Sequence, residues 1–508
     1  MRRLIKILTS RVISIGLLII AQVVFIYLSI CNIASVDFLE KGTRIISIIV
    51  VIYIINKQED PSYTIGWCVL VLTFPLLGVL LYLLCAGRKM PKKLSKGTTQ
   101  VNENMSNLLI QDEKVLEELK ENNQNLYRIY SMGYLSSSFP VYKNTESTYF
   151  ESGEEFYPTL IEELKKAKHF IFLEFFILDF GEMWDGVLSI LQEKVKEGVE
   201  VKLIYDDFGC STTVPQHYDK ILSHIGIETY RFNKLRPALI IQMNNRDHRK
   251  IIVIDNKVAF TGGVNIADEY INKINRFGYW RDSAICLKGE AVWSFTVMFL
   301  GMYSFLSNQK DLDYLKYKLP CDSYTNDSYF EPFSDTPTDD VDMGLNTHLS
   351  FVYNAKKYIY IDTPYLVLNV DMQTALIVAA LSGVDVRILV PHIPDKKYVF
   401  SITQSSYEVL VKSGVKVYEY TPGFNHTKNF VSDDEIGLVG TVNTDYRSYY
   451  LHFEDGVIFN DKKSVIKMRD SFLDALKDSH EITLEDCKKV SLYKRLWRAI
   501  LTLLAPLF

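Results

Sequence analysis

One stretch of this chain is written twice. Residues 248–255 read HRKIIVID and residues 426–433 read HTKNFVSD, so both spell His-x-Lys-x4-Asp. His426 lies 178 residues after His248, and the same interval links Lys428 to Lys250, Asp433 to Asp255, Gly440 to Gly262 and Asn443 to Asn265. Chance does not readily keep five positions in one register. The likeness extends upstream, where AKHFIFLEFF (167–176) parallels AKKYIYIDTP (355–364) and GVEVKLIYDD (198–207) parallels GVDVRILVPH (383–392). A unit present in two copies folds twice. Two similar copies in one polypeptide predict a pseudo-twofold pair with one site at the seam, the symmetry of an isologous dimer.

Each copy reads as α/β. From about Phe139 onward, apolar strand-like runs alternate with helical stretches: a helix over 158–168, a strand over 170–173 and another over 201–205. The first repeat is expected over 139–310 and the second over 346–485, with 311–345 connecting them. Residues 97–138 read as a linker with a helical pattern over 102–125. In HRKIIVID, His248 and Lys250 are two apart and share a strand face. The unbroken apolar run behind them predicts a central strand buried on both sides.

A His and a Lys from each half, brought together, suit phosphodiester chemistry. One neutral imidazole can attack phosphorus and form a phosphohistidine. The other can protonate the leaving oxygen and later deprotonate the acceptor hydroxyl. Lys250 and Lys428 supply positive charge to the non-bridging oxygens, and Asn265 and Asn443 can add hydrogen bonds. Such a site calls for no metal and no cofactor. Each imidazole also wants an orienting carboxylate on its other nitrogen. The candidates are Asp282 in YWRD and Glu454 in LHFED.

Other residues fit plainer roles. Asp255 and Asp433 stand at strand ends before Asn256 and Asp434, where an Asp caps a turn, so a supporting role is favoured over direct chemistry. The Gly pairs read as turn formers. Cys210, His217, His224, His348 and His392 fit no ligand spacing and read as structural, while His452 beside Glu454 is a weaker supporting candidate. The seven cysteines, at irregular spacing and without a CxxC pair, make neither a disulfide framework nor a zinc site.

The apolar residues are concentrated at the start. Residues 12–34 carry no charge and are long enough to cross a hydrocarbon layer of roughly 30 Å. Residues 63–87 form a second such run, with Pro75 expected to kink it, and a shorter run covers 45–55. Arg2, Arg3, Lys6 and Arg11 precede the first run, and Arg88, Lys89, Lys92, Lys93 and Lys96 follow the last. Both basic ends are expected on the cytoplasmic side, which requires an even number of crossings and predicts two spans with 45–55 re-entrant, interfacial or packed on them. The catalytic part would then face the cytoplasm. With 56 basic against 61 acidic residues the net charge is −5, which argues against a nucleic-acid partner.

At this point the residues resemble a known family. The paired motifs with trailing Gly-x-x-Asn are similar to those of the phospholipase D superfamily. FPVYKNTESTYF, AKHFIFLEFFI, NNRDHRKIIVID, GGVNIADEY, FGYWRD and GTVNTDYRSYYLHFE resemble the bacterial cardiolipin synthase family in particular, and INKQEDPSYTIGW before the last apolar run extends the likeness over nearly the whole chain. The resemblance implies a multi-pass enzyme of the bacterial cytoplasmic membrane, in contact with the lipid bilayer. It converts two phosphatidylglycerol molecules into cardiolipin and glycerol. It places His248, Lys250, Asp255, His426, Lys428 and Asp433 at the active site, with His248 leaning to nucleophile and His426 to acid/base. The second copy has Thr441 where the first has Gly263, so a hydroxyl near the phosphate is expected from the second half only. Water must be kept out, and the C-terminal segment 486–508, with YKRLWRAILTLLAPLF, reads either as an interfacial amphipathic helix or as a terminal helix packed on the protein. A hydrolytic phospholipase, a synthase drawing on phosphatidylethanolamine and a membrane-tethered nuclease are the competing readings.

Overall fold

A computed structural model describes residues 34–57, 60–85, 105–234, 245–309, 311–339 and 341–505, together with Val24. The first sheet is built from β1 (Thr145–Phe150), β2 (Phe170–Phe175), β3 (Glu200–Asp206), β4 (Glu228–Phe232), β5 (Ile251–Ile254), β6 (Val258–Gly262) and, after the short strand β7 (Tyr279–Arg281), β8 (Ala284–Gly289). Its order is β1-β8-β6-β5-β2-β3-β4. The second sheet is built from β9 (Phe330–Asp335), β10 (Tyr358–Asp362), β11 (Asp385–Pro391), β12 (Lys416–Tyr420) and, after the short strand β13 (Gly423–Asn425), β14 (Asn429–Ser432), β15 (Ile436–Gly440), β16 (Glu454–Phe459) and β17 (Ser479–Glu481). Taken from its β9 edge, its order is β9-β16-β15-β14-β10-β11-β12-β17. The two sheets therefore match strand for strand, with β17 extra.

Strand directions match as well. β2, β3 and β4 are parallel, as are β10, β11 and β12. β5 runs antiparallel to β2 and β6, and β14 runs antiparallel to β10 and β15. Every residue of β2 and of β5 is buried, which is why both read as unbroken apolar runs. Helix Val292–Ser307 is apolar on all sides and buried almost throughout, as a helix without a polar face must be. It packs against β2, β4 and β5 of the first sheet and β9 of the second, and Phe299 stacks on Phe172 at 4.6 Å.

Two boundaries differ from expectation. β9 lies in the stretch read as a connection, yet it pairs along its whole length with β16 as the counterpart of β1. Its sequence FEPFSD, with Pro332 and two acids, hides the strand from composition; as an edge strand it tolerates the missing N–H. Residues read as a linker form helices Glu113–Asn122 and Gln124–Ser137, whose Leu116, Leu119, Leu126, Ile129 and Tyr130 are buried in the main core. A polar outer face dominated their composition.

The N-terminal expectation also changes. The run 12–34 lies outside the described residues, apart from Val24 and Ala34. The short run 45–55 is the second half of helix Ala34–Ile55, whose first half carries Asp37, Glu40, Lys41 and Arg44. The run 63–87, expected as one kinked span, is divided into helices Pro61–Thr73 and Pro75–Cys85. They fold back on each other: the rings of Trp67 and Tyr82 lie 5.3 Å apart, whereas one straight helix would separate residues fifteen apart by about 22 Å. Pro75 supplies no N–H and drives Phe74 out of the helical region, to φ −127° and ψ 77°. Gly78 closes the hairpin, because a Cβ there would sit 2.5 Å from the Leu70 carbonyl oxygen. Tyr53 packs on Tyr82 at 6.5 Å, so the three helices share one apolar cluster. Among the described residues no helix is long and apolar enough to cross a membrane.

Candidate active site

The seam is made by two exchanges of backbone hydrogen bonds, one before each histidine. β13 of the second repeat pairs in parallel with β7 of the first, and the His426 N–H donates to the Arg281 carbonyl at 2.7 Å. Asp247 forms a parallel bridge to Phe453, and the His248 N–H donates to the Phe453 carbonyl at 2.9 Å. In both cases the residue after that carbonyl is acidic: Asp282 follows Arg281 and Glu454 follows Phe453. The register thus delivers each histidine to a carboxylate of the other repeat. His248 Nδ1 lies 2.8 Å from Glu454 Oε2, and His426 Nδ1 lies 2.6 Å from Asp282 Oδ2. With Nδ1 donating to a carboxylate, the Nε2 lone pair is left for the cavity.

The two dyads differ electrically. Burial pushes the His248 imidazole down to about 3, aided by Lys250 and opposed by Glu454. Burial likewise drives His426 well below its usual range, with Lys428 and Lys250 adding to the effect. Burial thus favours the neutral form of both rings while the cavity is empty. Burial acts to raise Glu454, but His248 and His452 outweigh it and hold the carboxyl below its usual range. Ser448 Oγ donates to Glu454 Oε1 at 2.8 Å and Thr441 Oγ1 to Oε2 at 2.5 Å. Burial pushes Asp282 up to about 6 against the pull of Lys428, and its nearest backbone donor is Ser283 N–H at 2.8 Å.

The remaining expected residues fall into three groups. Lys250 Nζ donates to its own histidine's carbonyl, that of His248, at 2.5 Å, and Lys428 Nζ donates to the His426 carbonyl and lies 3.0 Å from His426 Nδ1. Each ammonium is thus held behind its imidazole. Burial lowers Lys250 to about 8 and Lys428 to about 7, against neighbouring carboxylates. Asn265 and Asn443 do line the cavity. Asn265 accepts from the Ile177 N–H at 3.0 Å and donates to the Tyr270 hydroxyl at 2.7 Å, which leaves one amide proton over, and Asn443 Oδ1 is buried without a hydrogen-bond partner.

Asp255, Asp433 and Thr441 are elsewhere. Asp255 accepts the N–H groups of Lys168, His169 and Phe170 at 2.7–2.8 Å, and Asp433 accepts those of Lys356, Lys357 and Tyr358 at 2.7–2.9 Å. Each stitches the end of its motif strand to the start of the neighbouring strand, at the opposite end from the histidine. The invariant spacing of the motif spans the strand, from chemistry at one end to a turn at the other. Thr441 is fully buried behind Glu454 and does not line the cavity, so its hydroxyl serves the carboxylate and not the phosphate. Its counterpart Gly263 is small for a matching reason: a Cβ there would sit 1.9 Å from Asp282 Oδ1.

Several site residues escaped the sequence reading. Arg249 pairs with Glu174 at 2.5 Å and with Asp247 at 3.1 Å, and Arg281 crosses the seam to Asp362 at 2.6 Å. Glu174 and Asp362 occupy matching places in FIFLEF and YIYID. A carboxylate inside a buried apolar strand was the available signal, since buried charges are paired. Asp455, next to Glu454, accepts from the Lys250 N–H at 3.3 Å and from the Thr261 hydroxyl, so both acids of LHFED act across the seam.

Both catalytic-type imidazoles line one cavity of about 480 Å³. Phe176 packs on His248 at 5.1 Å, and Trp280 on His426 at 5.2 Å. Its wall also carries an apolar group, Val367, Tyr398, Val399, Ile402 and Ala505, beside charged side chains such as Arg246, Arg276, Lys396 and Arg447. Ala505 and Leu501 belong to the C-terminal helical segment and cluster with Val367, Ile402 and Tyr446, while Leu492, Tyr493, Leu496, Trp497 and Ile500 of the helix Leu492–Leu504 are exposed. The helix thus packs with one face and presents the other.

In fold the chain is similar to the phosphatidylserine synthase of Haemophilus influenzae Rd KW20, with a TM-score of 0.54, 14% identity, and coverage of 75% of this chain and 98% of that one. Paired α/β repeats sharing a two-histidine seam define the phospholipase D-like class. A family model described as "Cardiolipin synthase, PLD-like domain" matches residues 160–276 and 349–476, and one described as "Phospholipase_D-nuclease N-terminal" matches 45–86. A cardiolipin synthase of Geobacillus sp. (strain WCH70) is 34% identical, the match covering 91% of this chain and 92% of the relative. An uncharacterized protein of Streptococcus mutans serotype c is 41% identical, covering 90% and 99%. The chain belongs to the cardiolipin synthase family of phospholipase D-like phosphatidyltransferases.

Proposed function

We propose that the chain transfers a phosphatidyl group between two phosphatidylglycerol molecules, giving cardiolipin and glycerol. His248 Nε2 attacks the phosphorus of the first lipid, forming a P–N bond as the P–O bond to glycerol breaks. His426, protonated at Nε2 when the anionic phosphodiester occupies the cavity, gives that proton to the departing glycerol oxygen. Next, the terminal hydroxyl of the second lipid attacks phosphorus, His426 takes its proton, and the P–N bond breaks. One phosphodiester replaces another, so no nucleotide is consumed. Lys250 and Lys428, charged behind the two imidazoles, stabilise the equatorial oxygens, with Asn265 and Asn443 as hydrogen-bond donors. Asp282 and Glu454 hold each ring in the reactive tautomer.

The observation that carries this reading is the crossed pair of dyads, His248 with Glu454 and His426 with Asp282, opening on one cavity. Nothing about it is specific to hydrolysis, and a wall that mixes apolar side chains with Arg246, Arg276, Lys396 and Arg447 suits a phospholipid acceptor. Labelled phosphatidylglycerol in vesicles should yield cardiolipin and free glycerol. Predominant phosphatidic acid would identify a hydrolase instead, and release of ethanolamine from mixed vesicles would identify phosphatidylethanolamine as donor. Acid-stable trapping is unsuited to a P–N bond, so the phosphoenzyme should be quenched in alkali and its peptide mapped; label on His248 is expected, and label on His426 reverses the roles.

The proposed setting is the bacterial cytoplasmic membrane, with the catalytic part on the cytoplasmic side. The hairpin formed by Pro61–Thr73 and Pro75–Cys85 enters and leaves on one side. It therefore adds no net crossing. A reporter fused after Lys96 should read as cytoplasmic.

A further inference from the structure

Beside the dyads stands a third imidazole to which phosphatidyl transfer gives no task. His452 lines the catalytic cavity, is 9% exposed, and has no hydrogen-bond partner at either ring nitrogen. Its Nδ1 lies 3.3 Å from Glu454 Oε1, within ion-pair range but without hydrogen-bond geometry. Its ring centroid is 5.4 Å from that of His248. His248, His452 and Glu454 are all buried, and each offers a ligand atom within 4.8 Å of the other two. Buried imidazoles ordinarily satisfy their nitrogens, so a ring that faces this cavity with only a non-hydrogen-bonding approach to Glu454 points to a ligand with vacant orbitals.

We propose that His248, His452 and Glu454 form a site for a borderline divalent transition-metal ion, Zn²⁺ foremost, and that the ion switches the enzyme off. Two imidazole nitrogens and one carboxylate oxygen make a three-ligand set that Zn²⁺ accepts with its fourth position open. Calcium and magnesium, which want all-oxygen shells, do not match it. Bonds of about 2.0–2.1 Å in tetrahedral geometry separate ligands by about 3.3 Å. Glu454 Oε1 already lies 3.1 Å from His248 Nδ1 and 3.3 Å from His452 Nδ1, close to that separation. The open position faces the cavity.

Inactivation follows from the tautomer, and this step rests on the proposed role of His248 as nucleophile. Without metal, Nδ1–H donates to Glu454 and Nε2 carries the lone pair. When the ion takes the Nδ1 lone pair, the single ring proton sits on Nε2, and the nitrogen that would attack phosphorus has no electrons to offer. Glu454 becomes a ligand and no longer an acceptor. No net proton is released from the ring.

The test uses the full-length enzyme in detergent, stripped with a chelator and titrated with Co²⁺. One equivalent should bind with the intense visible d–d bands of a four-coordinate ion, and Zn²⁺ should displace it. His452→Gln should weaken binding by more than about 100-fold, the upper end of the loss seen for even an outer-shell partner. His426→Gln, which alters the opposite dyad, should retain the spectrum. Zn²⁺ should inhibit the wild type reversibly and require more than about 100-fold higher concentration against His452→Gln. Should His452→Gln not fold, Cu²⁺-loaded wild type gives an independent reading: hyperfine coupling to two imidazole nitrogens is expected. A missing cobalt spectrum, a spectrum indifferent to His452→Gln, fewer than two coupled nitrogens, or full activity with Zn²⁺ bound would each overturn the proposal. The cobalt signal needs no turnover, so a failure of the lipid chemistry is not mistaken for a failure of the metal site.

Discussion

Two positions carry most of the chemistry's fine tuning. Lys428 and Lys250 are lowered by burial to about 7 and about 8. In the proposed reaction, each side chain below those values is an ammonium that would stabilise phosphoryl oxygens; above them it is neutral and that stabilisation would be lost. The kcat/KM profile, which reports the free enzyme, should therefore fall as pH rises through about 7–8. Lys428→Arg keeps its charge throughout, and should move the alkaline limb upward even if the maximal rate drops. Measurement of kcat/KM on mixed micelles from pH 6 to 9 in steps of about half a unit checks this, and an unmoved limb assigns it to another group. At Gly263 the constraint is steric. An added Cβ would stand 1.9 Å from Asp282 Oδ1, so Gly263→Ala should displace the carboxylate that orients His426. A loss of about 100-fold or more in kcat is expected, the scale of general acid–base catalysis, with the thermal midpoint little changed in comparison.

Among the elements, the motif strand is held at both ends by different means. At one end β5 leads back to His248, tied across the seam to Phe453; at the other, Asp255 gathers three N–H groups at the start of β2. Asp255→Ala removes charge-assisted hydrogen bonds and leaves amides unpaired, which should cost about 2–4 kcal/mol of stability. A lowered denaturation midpoint with near-normal kcat in the folded fraction is expected, and a catalytic role for Asp255 would show the opposite. Asp433 should behave alike through Lys356, Lys357 and Tyr358. The pattern of period two and the apolar run revealed these strands. The sequence already favoured a turn-capping role for Asp255 and Asp433, but family resemblance set them at the active site, because an Asp that caps a turn and an Asp that serves a reaction look the same in one dimension.

For the whole molecule, the question is how a lipid site excludes water. Ala505 closes one wall of the cavity with Val367, Ile402 and Tyr446, Leu501 packs in the same cluster, and Trp497, Leu496 and Ile500 face outward among Lys494, Arg495 and Arg498. This is a helix that can pack on the protein and lie on an anionic bilayer together. Deleting residues 490–508 should open the cavity to water and raise the ratio of phosphatidic acid to cardiolipin, while also weakening sedimentation with phosphatidylglycerol vesicles. An unchanged product ratio would show that the seal lies elsewhere. The same helix reaches the N-terminal hairpin, where a Cβ on Gly66 would lie 3.0 Å from the Leu503 carbonyl, so the hairpin and the active-site wall form one connected structure.

By itself the sequence determined the repeat, the α/β class, the two His-x-Lys motifs and the family, because all of these are written in periodicity and identity of neighbouring residues. It also named Glu454 and Asp282 as acids near the right motifs. Only the tertiary structure decided which histidine each acid serves, since that depends on β7 meeting β13 and on Asp247 meeting Phe453 across the seam. It also decided that Thr441 stands behind Glu454, that Asp255 and Asp433 lie away from the cavity, and that 61–85 turns back at Pro75. Each of these is a contact between residues distant along the chain, or a turn whose direction is chosen by packing, and a linear pattern carries neither.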